Sequence, residues 1–104
     1  MAEVRKNEKS ETKEAYREKM EAKLKEWSAK IDELKAKAEY AKGDVKLQYN
    51  KQLEELRERR EKLQKKLKEL RESSGEAWKE FRSGVEKAAS DLRESLNRAA
   101  AKFK

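Results

Sequence analysis

The stretch Ala38–Tyr49, AEYAKGDVKLQY, holds the one glycine in the first seventy residues, and its reading decides the shape of the molecule. Gly43 either turns the chain back on itself or lies inside a helix that runs through it. Helical phase arbitrates. With the residues placed at about 100° each around a helix, nineteen of the 21 large apolar side chains in residues 11–104 share one face. In the first part of the chain these are Tyr16, Met20, Leu24, Trp27, Ile31, Leu34, Val45, Tyr49, Leu53, Leu56, Leu63, Leu67 and Leu70. Ala38 and Ala41 fill the gap, so Ala41, Val45 and Tyr49 carry the stripe past Gly43 without a slip. A glycine inside a helix costs about 1 kcal/mol relative to alanine, and no Pro, Asn-Gly pair or cluster of turn residues accompanies this one. The phase predicts a continuous helix through Gly43.

Composition supports helix throughout. Ala, Glu, Lys, Arg and Leu make up 71 of 104 residues, a usage typical of long helices and coiled coils. Leu, Ile, Val and Phe number only 16, which alone suggests disorder, but a disordered chain has no reason to hold one helical phase. The net charge of +7 is spread along the chain, and Glu repeatedly precedes Lys or Arg by four, as at Glu21–Lys25, Glu55–Arg59 and Glu58–Lys62. That order supports an exposed helix.

The clearest break is RESSGEAW, residues 71–78, where Ser73 and Glu76 have capping-box spacing and Gly75 follows two serines. The sequence therefore predicts an all-α protein with helices over about 10–72 and 76–103 and a break at 73–75. Residues 1–10 are expected to fray, leaving 11–104 as a single coiled-coil region. A three-helix arrangement with 11–42 as its third member would need the turn at Gly43 that the unbroken phase argues against. Tyr40 and Leu47 lie off the stripe, and with Ala36 and Gly43 they form a second face spaced four, three, four. A crossing helix admitted closely at the Gly43 notch would use that face.

Composition also excludes functions. The chain has no His and no Cys, so the usual proton shuttle, the commonest metal ligands and a thiol nucleophile are missing. The three glycines are isolated, which leaves no phosphate-binding loop. Glu54, Glu55 and Glu58 are interleaved with Arg57, Arg59 and Arg60 and read as ion pairs on a solvated face. No enzyme activity, cofactor, metal or small-molecule substrate is expected. No apolar run approaches a bilayer span, and MAEVRKNEKSETKEAY lacks the apolar centre of a signal peptide, so a cytoplasmic protein is expected.

The run RERREKLQKKLKELR, residues 57–71, scatters its bases around the helix, whereas a nucleic-acid helix gathers them on one side. Nucleic-acid association is accordingly a distant third reading. In the last segment, Trp78, Phe81, Val85, Leu92, Leu96 and Phe103 make an apolar face bordered by Arg82, Arg93 and Lys102. That face suits either a coiled-coil core or a helix lying at a lipid–water interface.

From Tyr16 onward, the run YREKMEAKLKEWSAKIDELKAKAE followed by LQYNKQLEELRERREKLQKKLKELRESSGEAWKEF resembles small bacterial coiled-coil proteins. The GEAW element before the last helix is the most recognisable part, and the C-terminal half is similar in texture to the amphipathic repeats of apolipoproteins. The resemblance implies coiled-coil structure without catalysis.

A single helix cannot shelter such a stripe from water. The expectation is a self-associating helical rod, an antiparallel homo-oligomeric bundle acting as scaffold or adaptor. The alternative is a lipid-surface protein that uses its C-terminal helix.

Overall fold

Thr12 opens the first helix in the manner expected of an N-cap: its hydroxyl accepts the Ala15 N–H at 3.0 Å. The structure, a computed structural model, describes residues 11–103; the expected fraying of residues 1–10 lies outside the described residues. Among the described residues three helices follow one another: α1 (Lys13–Tyr40), α2 (Gly43–Glu72) and α3 (Trp78–Lys102). Each reverses direction, so α2 runs antiparallel to both neighbours and packs extensively on each, while α1 and α3 run parallel and touch less. The all-α, antiparallel architecture expected from the periodicity is present.

The continuous helix over 10–72 is not. Ala41 and Lys42 are extended, with ψ near 156° and 157°, and Gly43 takes φ +61°. The left-handed region is one that only glycine enters at little cost. An added Cβ on Gly43 would meet nothing within 4 Å, so its role is backbone conformation and not a notch for a crossing helix. The unbroken phase was compatible with both shapes, because two extended residues can reset the direction of the chain without disturbing either stripe. Folding back lets α1 cover α2 within one molecule. Burying even one Leu-sized side chain is worth about 1.5–3 kcal/mol, and the turn also relieves the ~1 kcal/mol penalty that a glycine inside a continuous helix would carry. The fold is 57 Å in its longest dimension, where a straight 10–72 helix alone would span roughly 95 Å.

The second turn falls where Ser73–Gly75 predicted it, but by different chemistry. Ser73 does not form a capping box with Glu76: its hydroxyl donates to the Leu70 carbonyl at 2.6 Å, closing the end of α2. Gly75 supplies φ +54°, and α3 begins after Ala77 with no side-chain cap. Lys13, at the start of α1, donates to the carbonyls of Arg71 and Ser73 at 3.2 and 2.8 Å. A lysine there satisfies carbonyls that the helix end leaves free.

The core is the stripe closed on itself. Leu56, Leu63, Leu70, Val85, Leu92 and Ala99 are fully buried along α2 and α3, and Tyr16, Met20, Trp27, Ile31, Leu34 and Ala38 close it from α1. Small residues at Ala88, Ala89, Ser95 and Ala99 thin the inner side of α3 where it meets its neighbours. Charged pairs lace the helices from outside: Arg71 to Glu21 across α2 and α1, and Arg59 to Asp91 across α2 and α3, each at 4.0 Å. Of the expected i,i+4 pairs, Glu55–Arg59 forms at 3.1 Å, while Glu21 takes Arg17 at 3.1 Å.

Candidate interaction surfaces

Of the thirteen stripe residues in α1 and α2, eleven are buried and Leu24 is partly buried against them. Val45 is the departure, at 50% exposure. The reason is length. α3 ends opposite Tyr49, whose ring stacks on Phe103 at 3.8 Å between centroids, and no third helix continues past that point to cover Val45. The α1–α2 hairpin therefore overhangs α3 at one end.

Tyr40, at 87%, and Leu47, at 66%, are exposed on the same overhang. Tyr40 is two residues beyond the buried Ala38 and Leu47 two before the buried Tyr49, so each points roughly 160° away from the seam. The expected second face of Ala36, Tyr40, Gly43 and Leu47 is thus divided between two helices: Ala36 and Tyr40 lie on α1, Gly43 and Leu47 on α2. Among the described residues no helix crosses it. The result is an apolar end on an otherwise charged rod.

The face expected for lipid or core is core. Trp78, Val85, Leu92 and Leu96 are buried against α2 and α1, Phe103 is half-buried under Tyr49, and only Phe81, at 38%, borders solvent. At the opposite end Tyr16 anchors α1 to α3. Its ring lies 5.9 Å from that of Trp78, and its hydroxyl donates to Glu86 Oε2 at 3.2 Å. Burial, with the Glu86 carboxylate beside it, holds the Tyr16 phenol well above the ordinary tyrosine range. Arg82 stands over the Trp78 ring at 5.5 Å.

Arg60 also lies in the seam, at a position that its spacing gives. Tyr49, Leu53, Leu56, Arg60, Leu63, Leu67 and Leu70 are spaced four and three in strict alternation, which puts Arg60 in the seam. Its Nε is buried without a hydrogen-bond partner. Its charge makes it look like one more member of the basic run 57–71, whereas its register is that of a seam residue.

The cations are not spread evenly over the three grooves between helices. Lys19, Lys23 and Arg93 rim a shallow groove of about 250 Å³ between α1 and α3, over Tyr16, Met20 and Trp27, with Glu86 the one acid. The groove between α2 and α3 sets Glu55, Glu58 and Asp91 against Arg59 and Lys62. Among the described residues no group of His, Cys, Asp and Glu could hold a metal ion, and no helix is long and apolar enough to cross a membrane. No family model, curated protein or solved structure matches the chain.

Proposed function

We propose that the chain is a non-enzymatic structural protein, a self-associating helical rod that serves as scaffold or adaptor. One observation carries this reading: among the described residues, three of the four exposed large apolar ones, Tyr40, Val45 and Leu47, lie within eight residues at one end of the rod. Scattered exposed apolars are ordinary on any protein, whereas a local concentration marks a place where another molecule sits. The flanks carry charged side chains that keep the rod solvated, so attachment belongs at the end.

A lipid surface is less well supported. Its expected contact face is occupied by the core, and α3 would have to leave the bundle to present Trp78, Leu92 and Leu96. Sedimentation equilibrium from low to high micromolar concentration tests the reading. A mass that rises with concentration, and falls back in a Tyr40→Ser/Val45→Ser/Leu47→Ser variant of unchanged helicity, is the expected result. A single-copy mass throughout, with binding to anionic vesicles instead, would overturn it.

A further inference from the structure

We infer that the second copy joins by exchanging α1: the Ala41–Gly43 joint straightens, and α1 of each molecule takes the place of its counterpart on the partner's α2 and α3. This rests on the self-association proposed above and specifies its geometry.

Four observations converge on the joint. First, it is short, with Ala41 and Lys42 the only residues between the helices. Second, it is weakly held. Thr12 caps α1 with its side chain, whereas no side chain caps the start of α2 at Lys42. Third, the turn depends on one glycine at φ +61°, with open space where a Cβ would stand, so at the joint only Ala41 packs against the core. Fourth, the apolar stripe runs in phase from Ala38 and Ala41 to Val45 and Tyr49. A hairpin does not need that continuity; a helix spanning 13–72 does.

Opening the joint loses little. Every seam contact of the closed molecule is remade with the partner, because α1 still lies antiparallel on an α2. Two straightened helices then cross at their joints, antiparallel and seam to seam. There Val45, left half-exposed in the closed form, meets the partner's Ala41 and Val45. Simple side-by-side association has no comparable surface. A standard protein interface engages about 20–30 residues a side, and the apolar end offers three large side chains, two of which point away from the seam.

The chain has no cysteine, so introduced ones report cleanly. Glu21 on α1 and Arg71 on α2 approach to 4.0 Å in the closed molecule. One tagged chain carries Glu21→Cys and another, differently tagged, carries Arg71→Cys. They are unfolded together, refolded at high concentration and treated with a short bismaleimide. Exchange predicts a covalent heterodimer. Gly43→Ala, which favours the open joint at both hinges, should raise the association constant at least about a hundredfold.

Association without the Glu21→Cys/Arg71→Cys cross-link would overturn the exchange while leaving self-association standing. A single-copy mass at every concentration, even with Gly43→Ala and with native helicity, would overturn both. Circular dichroism of each cysteine variant guards against loss of fold, and a second pairing at the other end of the same seam, Lys13→Cys with Ser73→Cys, where Lys13 Nζ donates to the Ser73 carbonyl at 2.8 Å in the closed molecule, provides a second reporter.

Discussion

Tyr16 and Arg60 both bring a polar group into the seam, and they are handled oppositely. Tyr16 is 2% exposed, but its hydroxyl reaches Glu86. Replacing it with Phe removes a hydrogen bond to a carboxylate that water can then solvate, so a loss of about 1 kcal/mol is expected in urea unfolding at neutral pH. The phenol is held neutral in the folded state, above its value in the unfolded chain. Its contribution is therefore fully present below the unfolded tyrosine value of about 10 and is lost as pH rises beyond it. Wild-type stability should fall through that alkaline window, and Tyr16→Phe should show a shallower decline. Arg60 has no such compensation at Nε. Arg60→Leu completes the four-three seam and removes the unpartnered Nε, so it should stabilise by about 1 kcal/mol. For a domain near this size, each kcal/mol moves Tm by about 4–8 °C. A melting curve checks it.

At the scale of elements, boundaries depended on backbone conformation more than on pattern. The α2–α3 turn was legible because Ser73, Ser74 and Gly75 stand together. The α1–α2 turn was hidden because its single glycine sits within a stripe that never changes phase. Gly75 and Gly84 separate the two roles that a glycine can have here. At φ +54°, Gly75→Ala should lower stability by about 1–2 kcal/mol, because an L side chain resists that conformation. Gly84 lies inside α3, and an added Cβ would meet only Lys66 Cδ at 3.6 Å, an ordinary contact. Gly84→Ala should stabilise by about 0.5–1 kcal/mol. Paired thermal melts of the two variants are expected to move in opposite directions.

In the whole molecule α2 is the shared wall: both neighbours pack on it, and Leu56, Leu63 and Leu70 along it have no exposed surface. Leu63→Ala should cost about 2–5 kcal/mol. Helicity and tryptophan fluorescence should be lost together, since Trp27 and Trp78 report on α1 and α3. Separate transitions would mean that the helices melt independently. What residue order alone determined was the helical character, the second turn and, Val45 and Phe81 aside, the large side chains that leave water, because each follows from local propensity and a period that a single helix already contains. Arg60 was in that record too, at a seam position visible from its spacing. Only tertiary structure decided what covers the stripe. A periodic face demands burial but is indifferent to whether its cover comes from the same chain or another. The choice turned on one left-handed residue, on α3 ending at Tyr49, and on the gain from closing three helices against each other.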